Sequence, residues 1–306
     1  MRSLILIILI FIPLRGFAFN YTKDNIHIVS ANKDSLIAKK IVTFLKTDID
    51  NFQKKIGSYP DLKTNIYVAS NNQDYRNLNK KFPKKIVEFS QAFYSKSNNC
   101  IYIHSPKYFK TIKNLRITLL HEYIHSFVNH FWKNAPLWFH EGMAVSFSKN
   151  STGIKEFYLV LSIFNDKKLS LKDMEKSYPK TKTEWIIFYE KAALTIEYLS
   201  HHYKHQFNNF IDHAQANGNF YFDFDNAFNL TQKQFENDFH NYLKRFVIGA
   251  FFIGISSVLW GIIPLGLLIA WIRKKVINRK IYKNWEAQEF ITLEKSDLSE
   301  KNTRLE

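Results

Sequence analysis

Ile117-Thr118-Leu119-Leu120-His121-Glu122-Tyr123-Ile124-His125-Ser126-Phe127-Val128-Asn129-His130-Phe131 is the stretch from which the rest of the chain can be read. Ile117, Leu120, Ile124, Phe127, Val128 and Phe131 recur at helical spacing, which predicts a helix over residues 115 to 132 with one buried face. His121 and His125 border that apolar stripe. On an α-helix positions i and i+4 face the same way, so two imidazoles four residues apart can meet one ion. Glu122 between them points at the rim of such a site, placed to take a proton from a metal-bound water. Two imidazoles are too few for a catalytic zinc, which generally has three protein ligands and one open position.

The third ligand is sought in Pro136-Leu137-Trp138-Phe139-His140-Glu141-Gly142-Met143-Ala144, where spacing alone leaves His140 and Glu141 in competition. Trp138, Glu141, Gly142 and Ala144 resemble the Trp-x-x-Glu-Gly-x-Ala pattern with which gluzincin peptidases open a second helix, its Glu being their third zinc ligand. The resemblance implies Glu141 as the metal carboxylate, with His140 lining the cleft or facing solvent. Tyr189-Glu190-Lys191-Ala192-Ala193 is similar to the Tyr-Glu-Lys-Gly segment of gluzincin aminopeptidases, whose Tyr hydrogen-bonds the oxyanion. That similarity nominates Tyr189, with Ala192 standing where the family has Gly; an ordinary core aromatic is the alternative reading. The segment from Tyr198-Leu199 through Asp225-Asn226-Ala227-Phe228 to Tyr242-Leu243 resembles the helical tail of peptidase MA-like proteins. Together these likenesses span roughly residues 60 to 243 and imply a mostly helical zincin catalytic half, one Zn2+ ion and a peptide or protein substrate.

Two departures from the family pattern limit what carries over. Fifteen residues separate His125 from Glu141, fewer than in the aminopeptidases, and the Gly-x-Met-Glu-Asn segment that holds a free amine is absent upstream of His121. Exopeptidase action is therefore not implied, and endopeptidase action stands beside it. A second reading keeps the fold without turnover, as a membrane-anchored binding or sensing module.

Upstream of the motif the patterns are of mixed type, giving an α+β chain with a small N-terminal mixed sheet. Asn25 to Val29, Asn65 to Ala69, Phe89 to Tyr94 and Cys100 to His104 read as strands, and residues 34 to 56 as an amphipathic helix stopped by Gly57. The resemblance to gluzincin proteases implies the run Cys100 to His104 as the sheet edge on which an extended peptide would lie. From about residue 111 the chain reads as helical, with loops near 149 to 152, 165 to 183 and 216 to 224. Thr231 and Gln234 make a capping box ahead of a helix buried through Phe235 and Phe239.

The two ends read differently. Arg2, the apolar run Leu4 to Ile12 and Gly16-Phe17-Ala18 make residues 1 to 18 an expected signal peptide. Val247 to Ile272 contains 26 residues and no charge, enough to cross ~30 Å of hydrocarbon. Arg273, Lys274, Lys275, Arg279, Lys280 and Lys283 follow it, so the expected order is an extracytoplasmic domain at 19 to 245, a transmembrane helix at 246 to 272 and a cytoplasmic tail at 273 to 306. The formal net charge of +16 is scattered, without a basic helix or aromatic-basic module, so nucleic acid is not an expected partner. An intramembrane protease is excluded because Arg116, His121, Glu122, His125 and Asn129 make the motif helix too polar to face lipid. The one cysteine, Cys100, allows no intrachain disulfide, and its apolar surroundings predict packing. His201, His202 and His205 lack a neighbouring carboxylate or thiol and are expected to be solvated.

Overall fold

The computed structural model describes residues 18–81, 90–148 and 170–303. It divides into two compact units, Met1–His240 and Asn241–Glu306. The first is α+β: a five-stranded sheet built from the N-terminal part, followed by helices. The expected signal segment lies outside the described residues except for Ala18, which opens strand β1 (Ala18–Lys23). That strand pairs antiparallel with β2 (Ile26–Ala31) and lay beyond the predicted elements.

In β2, Ile26, Ile28 and Ser30 alternate inward, the period-2 pattern of a strand with one covered face. Helix α1 (Ser35–Ile56) covers it with Ala38, Ile41, Val42, Leu45, Ile49, Phe52 and Ile56, and ends at Gly57 in the left-handed region, φ 81°. The Gly57 N–H closes on the Gln53 carbonyl at 2.9 Å, a stop that a residue without Cβ makes at least cost. Strand β3 (Thr64–Val68) then returns parallel to β2, so β2-α1-β3 is a crossover unit. Helix α2 (Asn72–Lys81), absent from the sequence reading, follows it, with Asp74 accepting from the Ser70 N–H at 2.9 Å.

Strands β4 (Ala92–Ser95) and β5 (Cys100–Ile103) form an antiparallel pair, and β5 also pairs parallel with β3. The sheet order β1-β2-β3-β5-β4 corrects one expectation: Cys100 to Ile103 is paired on both sides, and among the described residues the edge is β4. The hairpin returns outward after Asn99, whose φ of 46° makes the tight turn. Cys100 is half-buried there, and burial pushes its thiol up to about 12, so it is packed and protonated.

The motif helix, α3 (Ile112–Phe131), starts where Thr111 accepts from the Asn114 N–H at 3.1 Å. Its buried side runs through Leu115, Leu119, Tyr123, Ile124, Phe127, Val128 and Phe131. Ile117 and Leu120, placed on that stripe by periodicity, are only partly covered, because α3 is flanked by α1, the sheet and a further helix and so is buried on more than one side. Phe52 of α1 meets the Phe127 ring edge-on at 5.0 Å, and Gln53 donates to the Tyr123 hydroxyl at 3.2 Å. Arg116 grips Asp48 of α1 through Nε at 3.0 Å and Nη2 at 2.6 Å.

Among the described residues the first unit continues with helices α4 (Leu137–Ser148), α5 (Lys182–His202), α6 (Lys204–Asp212) and α7 (Phe220–Phe228) and the start of α8 (Gln232–Thr303). Trp132, Phe139, Phe210 and Phe220 form their aromatic core, with Trp132 stacked on Phe210 at 4.4 Å. Helix α7 occupies part of the expected loop at 216 to 224: Asn219 caps it by accepting from the Tyr221 and Phe222 N–H groups, and Phe220, Phe224 and Phe228 bury one face. The expected loop at 149 to 152 and part of that at 165 to 183 lie outside the described residues. The capping box of α8 is present, Gln234 N–H to Thr231 Oγ1 at 3.3 Å and Thr231 N–H to Gln234 Oε1 at 3.0 Å.

In the second unit the backbone is helical through Val247 to Ile272. Among the described residues no helix is long and apolar enough to cross a membrane, and most side chains between 246 and 261 lie outside them. Those described beyond 261, among them Ile262, Leu265, Leu267, Leu268 and Trp271, are exposed.

Phe127, fully buried between α1 and the neighbouring aromatics, tests the packing of the motif helix. Phe127→Ala is expected to lower unfolding free energy by about 3–5 kcal/mol, read from the denaturant midpoint.

Candidate metal centre

His121 and His125 lie one turn apart on α3, and Glu141 comes from the first turns of α4. Among the described residues they are the group able to hold a metal ion, their ligand atoms all lying within 4.8 Å of one another. His121 Nε2 is 3.4 Å from Glu141 Oε2 and His125 Nε2 is 3.7 Å from Oε1. Two donors each about 2.0–2.1 Å from a tetrahedral ion stand roughly 3.3 Å apart, so the spacing suits a shared ion. Glu141 is 1% exposed and its Oε2 is buried beside the His121 ring. A buried carboxylate whose two oxygens each face an imidazole nitrogen fits the role of a metal ligand.

His140, the rival on spacing, has its ring 5.7 Å from that of His125 and is not in the group. His201, His202 and His205 are exposed and likewise outside it.

Burial alone would raise the Glu141 carboxyl; His125, His121 and a hydrogen bond from Tyr178 outweigh that and hold it at about 2. Burial lowers His125 to about 4, with Glu141 pulling the other way, so at neutral pH its ring is a neutral donor. Burial pushes Glu122 up to about 7. His121 opposes that rise, Glu141 adds to it, and the backbone N–H of Tyr94 on the edge strand β4 donates to the carboxyl.

Two tyrosines line the same space. Tyr189 on α5 is partly buried; burial, then the charges of Glu141 and Glu122, hold its hydroxyl proton far above neutral pH. The sequence reading did not single out Tyr178, whose hydroxyl donates to Glu141 Oε1 at 2.5 Å. It sits in an irregular segment, 37 residues from its partner, where no periodicity marks it. Trp185 connects the two, its ring 4.6 Å from Tyr178 and 5.5 Å from Tyr189.

Gly142 explains why a glycine follows the ligand. A Cβ there would stand 2.4 Å from the Ala192 carbonyl oxygen and 2.7 Å from Ile196 Cγ1, so α4 and α5 approach this closely only across a bare Cα. That approach brings Tyr189, three residues before Ala192, toward Glu141.

No family model and no curated protein matches this chain. The site is therefore described by its own geometry.

Alanine is normally the better helix former by about 1 kcal/mol, but the contact is with backbone, which cannot give cheaply. Gly142→Ala is expected to destabilise the protein by about 1–3 kcal/mol and to weaken metal binding, read by thermal unfolding and by metal titration. A pH prediction concerns chelator-treated protein. Between pH 4.5 and about 7 the folded chain holds a Glu122 proton that the unfolded chain has released, so that group's contribution to stability falls as pH rises. Between about 4 and 6.5 the unfolded chain holds a His125 proton that the folded chain lacks, so that contribution rises with pH. The two oppose each other, and in Glu122→Gln the denaturant midpoint should climb from pH 4.5 to 6.5 more steeply than in wild type.

Proposed function

We propose that residues 19 to 245 form a zinc metallopeptidase of the gluzincin, peptidase MA-like kind, with His121, His125 and Glu141 as metal ligands and Glu122 as general base. The observation that carries this reading is the meeting of three ligand atoms within 4.8 Å, with a fourth residue's carboxyl held at about 7 beside them. Two imidazoles and a carboxylate are a donor set that zinc accepts, and bound there it would supply Lewis acidity and lower the pKa of a water to about 7. Glu122 accepts a proton from the attacking water and passes it to the departing amine, and a carboxyl that titrates near neutrality is suited to both steps. Tyr189, its hydroxyl held protonated, donates to the carbonyl oxygen as negative charge develops there.

Edge strand β4 supports an extended peptide as substrate, since among the described residues no strand pairs with its outer side and its Tyr94 N–H bonds Glu122. Membrane anchorage rests on the charge-free run Val247 to Ile272, its helical backbone and its exposed apolar side chains beyond 261, a surface that water disfavours and lipid accepts. With an N-terminal signal segment and a basic tail after the span, the peptidase domain lies outside the cytoplasm.

The purified full chain in detergent is expected to contain one zinc. Glu122→Gln should retain the metal while peptide cleavage falls by roughly 10²–10⁴-fold, the usual worth of a general base. Metal-loaded wild-type protein that cuts nothing in a broad peptide library would favour the binding or sensing module instead, and folded protein without metal would sink both.

A further inference from the structure

We propose that Tyr178 is a positioning residue that makes Glu141 a one-oxygen metal ligand: its hydroxyl occupies Oε1 and leaves Oε2 to the metal. The inference rests on the metal reading of the site and adds to it which carboxylate oxygen binds and what keeps the other away.

The two oxygens of Glu141 are treated differently by their surroundings. Oε1 accepts from Tyr178 Oη at 2.5 Å, the length of a charge-assisted O–H to carboxylate bond. Oε2 is buried, is not reached by the phenol and lies 3.4 Å from His121 Nε2, the closer of the two ligand approaches. Oε1 stands 3.7 Å from His125 Nε2. A carboxylate can bind an ion through one oxygen or through both. With one oxygen committed to a phenol, it takes one position, and the position so saved is the one a water or substrate carbonyl needs.

Tyr178 is itself held in place, as a group that orients a ligand must be. Its ring stacks on Trp185 at 4.6 Å with planes 10° apart, and Phe188 flanks it at 5.9 Å. The backbone just before it is tied to the start of the ligand helix: the Leu137 N–H donates to the Glu175 carbonyl at 2.9 Å and the Trp138 N–H to the Met174 carbonyl at 3.0 Å. These bonds satisfy N–H groups that the first turn of α4 leaves without an intrahelical partner, and in doing so set the segment that carries Tyr178 in register with Glu141.

The test uses the full chain in detergent loaded with Co2+, whose visible absorption is strong at four-coordinate sites and weaker at five-coordinate ones. Tyr178→Phe keeps the ring and removes the hydroxyl. It is expected to bind one Co2+ with a dissociation constant raised roughly ten- to a hundredfold and with weaker visible bands. Tyr67→Phe makes the same change at a phenol of β3 that bonds Asp74 and not Glu141, and is expected to leave spectrum and affinity close to wild type. Identical affinity and spectrum in Tyr178→Phe and wild type would overturn the positioning role alone. The same change in both variants would also overturn it, by showing that the effect does not depend on the bond to Glu141. Wild-type protein that binds no Co2+ would overturn the metal centre together with this inference. Far-ultraviolet circular dichroism of the metal-free variants checks that each is folded.

Discussion

A carboxylate taken out of water is stable only where donors and positive charge replace its hydration, and otherwise it takes up a proton. Glu141 is 1% exposed, yet its carboxyl is held at about 2. Two imidazoles and one phenol do this, and they come from two places in the chain: α3, with His121 and His125, and the segment before α5, with Tyr178. Most of the helical half follows from the need to bring them together. Helix α3 has to be buried on several sides so that its histidines face inward, and α4 has to cross α5 closely enough that only Gly142 fits. The segment after residue 170 has to return to the start of α4, which it does through two backbone hydrogen bonds.

The sheet contributes by its edge. Because β5 is flanked by β3 and β4, the strand nearest the site is β4, and its Tyr94 N–H reaches Glu122. That single donor ties the base of the proposed reaction to the strand on which an extended chain would pair. The remaining strands and α1 form the base against which α3 lies, through Phe52, Tyr123 and Phe127 and the Arg116 to Asp48 pair. Position and protonation of Glu122 thus depend on both halves of the first unit.

Burial pulls neighbouring groups in opposite directions here. It raises the Glu122 carboxyl to about 7 and lowers the His125 imidazole to about 4, in each case by disfavouring the charged form. One low-dielectric site therefore yields a neutral imidazole and a carboxyl that titrates near neutrality, without a separate device for each.

The sequence by itself determined what is local. Periodicity placed α1, α3 and the main strands to within a few residues, Thr231 and Gln234 located the start of α8, and His121, Glu122 and His125 were tied together by the geometry of one helical turn. Glu141 was legible only through likeness to a known motif, since spacing alone left His140 equal to it, and the fold separates the two by turning one toward the imidazoles. Tertiary structure alone decided the rest. The edge at β4 is a matter of strand order, which side-chain alternation does not encode. Helix α7, in a stretch read as a loop, is stabilised by the Asn219 cap and by burying Phe220, Phe224 and Phe228 against distant aromatics. Tyr178 reaches Glu141 across 37 residues from an irregular segment, and no local pattern records a contact made only when two remote backbones are held side by side.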